Sequence, residues 1–290
     1  MKVAVVGEAM LDLTAYHAAL APNPESATVL TVKAGPVAVD LGGAGNVAAF
    51  LAARGHEVSL FTPAGGWAAS LVADCCRLHG IQYHWLHNMP AHWHTPVKFR
   101  FFVDGTYASR HDLEQCPPAH DQRPLLEAAG LLPKHLDAVI FSDYAKGLYA
   151  DEDADYGLEA IRAVAPVTVA DFKPQHRHLF RSVDAVAPNQ READACGWPT
   201  AEAVQSALGC AYAFVTLGTN GCAWSDGEKS GVSPLAQNSG EWYIGAGDAF
   251  TAAVTEAIVS KIGDVQAVAD YANTVACTYT QNKRNPILRL

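Results

Sequence analysis

Charge is scarce in this sequence. Only 17% of its 290 residues are Asp, Glu, Lys or Arg and half are apolar, a composition that folds around a core instead of staying disordered. Basic residues are the scarcest: 20 Lys and Arg against 30 Asp and Glu leave a net charge of −10. A sequence-independent nucleic-acid binder needs a basic face to neutralise phosphates, so no nucleic-acid partner is expected. A local basic pocket for a small phosphorylated ligand stays open. Long apolar runs are missing too. None approaches the roughly 18 residues of a membrane span, and Met1–Gly7 reads as a first strand, not as a signal peptide; no membrane partner is expected. The seven cysteines are scattered and contain no Cys-x-x-Cys pair, which argues against a disulfide framework or a structural zinc site and for a reducing cytosol. His87, His92 and His94 lack an acidic or cysteine ligand nearby and sit among Pro90 and Pro96, so they read as loop histidines. A G-x-x-x-x-G-K-[ST] loop is also absent, which excludes a Walker-type nucleotide site.

What is present is alternation. Short β-branched runs at Lys2–Val6, Val58–Phe61, Ala138–Phe141, Val167–Ala170, Ala185–Ala187 and Ala213–Leu217 predict strands. Between them Gly45–Arg54, Ala68–His79, Ala154–Val164 and Ala201–Leu208 predict helices. Strands alternating with helices imply an α/β fold whose mostly parallel central sheet is covered on both faces. Right-handed crossovers then gather the strand C-termini along one edge, where ligands bind. Thr28–Leu41, and Val97–Arg110 around the Asp104-Gly105 turn, break this rhythm and predict a small separate sheet. The expected organisation is one domain over 1–290, with lid segments at about 13–41 and 94–114.

Two glycine clusters carry the chemistry. In Gly245-Ala246-Gly247-Asp248, ahead of the helical Thr251–Ile258, two glycines allow close approach and the amides at a helix start form an anion hole. A carboxylate there fits a base that takes a proton from an attacking hydroxyl while the amides hold a phosphoryl group. It equally fits a first-turn Asp favouring the helix dipole. Gly42-Gly43-Ala44-Gly45-Asn46-Val47-Ala48, read from Gly43, matches the dinucleotide fingerprint G-x-G-x-x-A. The next strand, however, ends in Thr62-Pro63 with no acidic ribose ligand.

Gly42, Gly43, Asn46, Ala48, Leu51 and Gly55 resemble the N-terminal signature of the ribokinase-like (PfkB) carbohydrate kinases, and Gly245–Asp248 resembles their C-terminal signature. Asp12, Asp171-x-Lys173, Asn189-x-x-Glu192 and Thr216-x-Gly218-x-x-Gly221 follow in the family's order. The resemblance implies a ribokinase-like three-layer α/β/α fold with a small β lid. A closer likeness is to the heptose-7-phosphate kinase domain of bacterial ADP-heptose synthesis. It rests on Phe141–Gly147 (FSDYAKG), Thr95–Arg100 and Arg110–Glu114. Departures are Ile244 in place of Thr, Phe172 in place of Pro, a short stretch between Gly221 and Gly245, and a C-terminal run, 282–286, in place of a glycine-containing loop.

The resemblance implies an ATP-dependent kinase in which Asp248 is the base, the amides of Ala246, Gly247 and Asp248 stabilise the transferred phosphoryl group, and Gly245 belongs to the same catalytic loop. Asp12, Gly42, Gly43 and Asn46 would hold a sugar; Lys98, Arg100, Arg110, Asp143 and Lys146 would complete the acceptor site and hold its phosphate. Asn189 and Glu192 would organise Mg²⁺ through water, although the same pair is a capping-box-like helix start. Lys173 would lie near the ATP phosphates or pair with Asp171. Thr216, Gly218 and Gly221 would line the phosphate and ribose side of the nucleotide, with Asn273 near its base. A cytoplasmic location fits, and lid-mediated dimers in the family allow a homodimer. A neutral sugar or nucleoside as acceptor is the first alternative. A nicotinamide-dependent oxidoreductase and an inactive sugar-binding protein stand further off.

Overall fold

The computed structural model describes residues 1–23, 25–119, 123–151, 153–235, 244–282 and 288–289. Tyr243 and residues 283–286 of the C-terminal run lie outside them. In chain order the strands are β1 (Lys2–Gly7), β2 (Ala9–Asn23), β3 (Ser26–Gly43), β4 (Glu57–Pro63), β5 (Gln82–Leu86), β6 (His94–Val103), β7 (Thr106–Gln115), β8 (Ala138–Ser142), β9 (Thr168–Asp171), β10 (Ala185–Val186), β11 (Tyr212–Thr216), β12 (Cys222–Ser225), β13 (Ser230–Ser233) and β14 (Leu288–Arg289). The helices are α1 (Ala44–Ala53), α2 (Ala68–Leu78), α3 (Pro124–Leu131), α4 (Ala154–Arg162), α5 (Gln190–Ala195), α6 (Ala201–Leu208), α7 (Ala246–Val259) and α8 (Val265–Asn282).

The large sheet runs β13-β12-β11-β10-β9-β8-β1-β4-β5, parallel from β5 to β11 and antiparallel at β12 and β13. Its central strands are buried on both faces, so they read as continuous apolar runs (Val-Ala-Val-Val in β1). The period-2 alternation of a strand divides them between two cores. Val3, Val5, Val58, Leu60 and Ile140 pack beneath α1, α2, α7 and α8. Ala4, Val6, Phe61, Val139 and Phe141 pack beneath α3, α4, α5 and α6. The fold is three layers, α/β/α.

Immediately after β1 the chain leaves this sheet for a second one, ordered β14-β3-β2-β6-β7. The crossing is pinned where the Ala9 amide donates to Thr62 Oγ1 at 2.8 Å. Asp104 and Gly105 turn β6 into β7 with φ of 48° and 78°, the left-handed pair that a two-residue hairpin demands. Along β2, Asp12 pairs with Asp40 on one side and Lys98 on the other, and Lys98 pairs with Asp112. One row of the small sheet therefore carries four charged residues across four strands. Leu11, Leu13 and Val97, of opposite parity, point into the core. The sequence pattern does not predict β5, α3, α8, β14 or the β12–β13 hairpin, and of α5 it predicts only the capped start at Asn189 and Glu192.

Candidate active site

The C-terminal edge of the large sheet gathers most of the predicted residues. Gly7 ends β1, Asp143 and Tyr144 follow β8, Asp171 ends β9, Asn189 follows β10 and Thr216 ends β11. The starts of α1 and α7 face the same edge. At α7, Gly245 takes φ 79°, turning the chain so that Ala246, Gly247 and Asp248 open the helix. A methyl group on Gly247 would meet no atom within 4 Å among the described residues beyond its own helix and chain neighbours.

Asp248 is buried, and each of its oxygens receives a hydrogen bond from a distant element. Asn46 Nδ2, in the first turn of α1, donates to Oδ2 at 2.6 Å. The Tyr144 hydroxyl donates to Oδ1. Asn46 is itself oriented by the Tyr279 hydroxyl of α8, which donates to its Oδ1 at 2.9 Å. Burial first, and the Asp248 carboxylate second, keep the Tyr144 phenol far above its ordinary pKa and hence protonated.

On the side of the small sheet, Asp12 is buried beside Gly42, where an added Cβ would lie 3.0 Å from the Asp12 carboxylate. Gly43 takes φ 57°, which lets the chain turn from β3 into α1. Arg100 Nη1 lies 3.1 Å from Asp12 Oδ1. The Lys98 ammonium sits 5.7 Å from the centre of the Tyr144 ring, and no carboxylate among the described residues lies within ion-pair distance of it. Burial pulls its pKa down, Arg100 and Arg110 add to that, and Asp12 and Asp112 oppose it. Lys98, Arg100 and Arg110 thus share one face of the small sheet. Arg110 is half-exposed and paired with Asp112 at 2.8 Å. Lys146 is paired with Glu114 at 2.6 Å.

One predicted contact is placed differently. Asp143 is fully enclosed: Oδ1 accepts from the Ala145 amide at 2.7 Å, and Oδ2 from the Lys173 amide and His176 Nδ1, both at 2.9 Å. Its oxygens are committed to the protein, so it shapes the loop and leaves no face for a sugar. Glu8, not singled out by the sequence, does the same from below. Its carboxylate accepts from the amides of Tyr144, Lys146 and Leu148 at 2.9–3.1 Å. Burial, with Asp143 adding, pushes the Glu8 carboxyl up to about 7 against the pull of those three amides.

On the other side of Asp248, a cavity of about 150 Å³ is lined by Tyr144, Asp171, Lys173, Asn189, Glu192 and Gly247, among others. Lys173 donates to Glu192 Oε1. Burial opposes its charge, but Asp171 and Glu192 outweigh that and raise its pKa. Asp171 is pushed above the usual carboxylate range, by burial above all, and its buried Oδ1 has no hydrogen-bond partner among the described residues. Asn189 and Glu192 form a full capping box at α5, both bonds at 3.0 Å. A second cavity of about 270 Å³ continues from Asn189, Thr216 and Gly247 past Gly218 and Gly221 to Asn273. The Asn273 amide is tied to Ser233, donating to its O and Oγ at 2.8 Å. Of the site residues that the sequence pattern does not single out, Tyr144 lies inside the Phe141–Gly147 stretch. Glu8 and His176 carried no local signal.

The chain belongs to the pfkB family of carbohydrate kinases, whose model matches residues 1–285. It is 31% identical over 199 residues to the bifunctional protein HldE of Bradyrhizobium diazoefficiens, covering 66% of this chain and 39% of that one. With the bifunctional protein HldE of a Marinomonas species it shares 30% over 290 residues, 94% of this chain and 59% of that one. It thus spans less than two thirds of the length of these relatives. Among solved structures, phosphofructokinase-2 from Escherichia coli in complex with potassium superposes with a TM-score of 0.76 at 15% identity, over 98% of this chain and 94% of that one. A carbohydrate kinase from Agrobacterium tumefaciens gives 0.70 at 19%, over 99% and 92%. No helix of the described residues is long and apolar enough to cross a membrane.

Proposed function

We propose that this carbohydrate kinase transfers the γ-phosphoryl group of ATP to a sugar that already carries a phosphate, heptose 7-phosphate phosphorylated at O1 being the favoured acceptor. The observation that carries the chemistry is Asp248. It is a carboxylate at a helix start, held from two sides, with the small sheet on one side of it and two connected cavities on the other. In the transfer, the acceptor O–H proton passes to Asp248 and the acceptor oxygen bonds to the γ-phosphorus. The bond from that phosphorus to the β,γ-bridging oxygen breaks, and ADP leaves with the electron pair. The amides of Ala246, Gly247 and Asp248 stabilise the charge on the transferring group.

The smaller cavity suits the ATP phosphates, where Lys173 supplies charge; the larger suits ribose and base along Thr216, Gly218, Gly221 and Asn273. The donor set also fits Mg²⁺, since Asp171, whose buried Oδ1 has no hydrogen-bond partner among the described residues, lines the same cavity as Asn189 and Glu192 and Mg²⁺ is held largely through its waters. Bound there, the ion would neutralise phosphate charge. Asp12, Gly42, Gly43 and Asn46 hold the sugar. Lys98, with Arg100 and Arg110 on the same face, favours an anionic acceptor, because a half-buried ammonium gains most from a partner that brings its own charge. A cytoplasmic setting suits these substrates. The exposed Tyr16, Val32, Tyr107 and Leu113 of the small sheet support a homodimer through it.

The test is ATP consumption with Mg²⁺ against sugars and sugar phosphates, including heptose 7-phosphates. Phosphorylated acceptors are expected to show the higher kcat/KM. Neutral sugars or nucleosides winning would favour the alternative, and uniform inactivity would favour a binding protein. Asp248→Asn is expected to lower kcat at least about 1000-fold with the fold retained; turnover near wild type sinks the assignment.

A further inference from the structure

We propose that Tyr144 is the positioning residue of the active site: its hydroxyl locks the rotation of the Asp248 carboxylate and fixes which lone pair meets the acceptor. This rests on the reading of Asp248 as the base.

A carboxylate joined to its backbone through two single bonds turns freely unless both oxygens are held. Here Asn46 holds Oδ2 from α1 and Tyr144 holds Oδ1 from the loop after β8. The two donors are 98 residues apart in sequence, and both elements are anchored. Asn46 is oriented by Tyr279. The Tyr144 amide is bound to Glu8 Oε2 and the next amide to Asp143 Oδ1, while Ala145 takes φ 55°. A non-glycine residue is held in that left-handed conformation only where its surroundings fix it.

The phenol can donate to Asp248 but cannot compete with it for the proton. Burial first, and then the carboxylates of Asp248, Asp171 and Asp12, strongly disfavour a tyrosinate there. The acceptor proton therefore goes to Asp248. The charged groups that complete the surroundings are Lys98, 5.7 Å from the ring centre, and Lys173, at 5.1 Å. One comes from the acceptor side and the other from the phosphate side, so the same ring that orients the base touches the cations of both half-sites.

The experiment compares Tyr144→Phe and Asp248→Asn with the wild type in steady-state kinetics across pH. Tyr144→Phe keeps the ring and its cation contacts and deletes only the donor. Its kcat is expected to fall about 10- to 100-fold, with KM for ATP and for acceptor within about twofold. The acid limb of its pH–rate profile moves up by about one pH unit, because the carboxylate has lost a bond that favours its charged form. A packing role would not move that limb. Incorporating 3-fluorotyrosine at position 144, a stronger donor with the same loop contacts, moves the limb down; this arm decides the matter should Tyr144→Phe unfold early. An unmoved limb in both, with Asp248→Asn inactive, overturns the proposal and leaves the base in place. Turnover by Asp248→Asn removes the base itself.

Discussion

Gly247 separates what the fold needs from what the chemistry needs. Glycine in a helix costs up to about 1 kcal/mol relative to alanine, and a Cβ at position 247 would meet only open space among the described residues. The backbone gains nothing from glycine there, unlike at Gly245, whose φ of 79° suits no other residue well. What Gly247 provides is room beside its own amide. Gly247→Ala is therefore expected to leave the melting temperature unchanged or slightly raised, while kcat/KM for ATP falls by about tenfold or more. Thermal unfolding and an ATP titration check both halves; unchanged kinetics would take Gly247 out of the phosphate site. At this scale the sequence was informative wherever the backbone makes a special demand, as at Gly42, Gly43 and Gly245. It was silent on Glu8, whose partners lie 136 to 140 positions away. A buried carboxylate that serves distant amides leaves no local spacing to detect.

Elements with one apolar face were legible and those without were not. Helix α4 alternates exposed Asp155, Tyr156 and Glu159 with buried Ala154, Gly157, Leu158 and Ile161, and its period is plain. Helix α3, PLLEAAGL, has eight residues and a single charge, so it offers no polar face from which to read a period. Helix α8 is rich in Thr, Val and Tyr, residues of weaker helix propensity, and tertiary packing against α7 overrides them. The α3–α4 contact carries its own prediction. Gly157 lies where a Cβ would come 2.4 Å from Leu125 Cβ and 3.0 Å from the Leu126 amide nitrogen. Alanine would gain up to about 1 kcal/mol of helix propensity, but separating two packed helices costs about 1–3 kcal/mol, and two of the three atoms met are backbone. Gly157→Ala is expected to lower stability by about 1–2 kcal/mol in urea unfolding, with KM values unaffected. A stabilised variant would mean that α3 moves aside freely.

The whole molecule places several titratable groups that bind protons more tightly when folded than when unfolded, and this sets the direction of its pH dependence. Burial and Asp143 push Glu8 up to about 7, and burial raises Asp171. For His176 burial works against the charged ring, but the hydrogen-bonded Asp143, with Glu8 nearby, raises it. A raised carboxyl keeps its proton in the folded state across a window where the unfolded chain has lost it. There the folded state binds more protons, and stability falls as pH rises. For Glu8 that window runs from 4.5 to about 7. His176 acts in the same direction: its contribution is complete below the ordinary histidine value and is lost as pH climbs through its raised folded one. Opposing groups act elsewhere. Glu256, despite its burial, is held below the usual range by Arg54, Tyr271 and His56, so its contribution is lost only on acidification below about 4.5. The free energy of unfolding, from urea titrations at pH 5, 6, 7 and 8, is therefore expected to decline by on the order of 2–3 kcal/mol. Glu8→Gln should flatten the part of that decline between pH 5 and 7, because it removes the titrating group. It should also lower kcat, because an amide cannot accept from all three loop amides that position Tyr144. Stability that rises from pH 5 to 8 in the wild type, or a slope that Glu8→Gln leaves intact, would show that Glu8 is ionised in the fold and that its three amide bonds outweigh its burial.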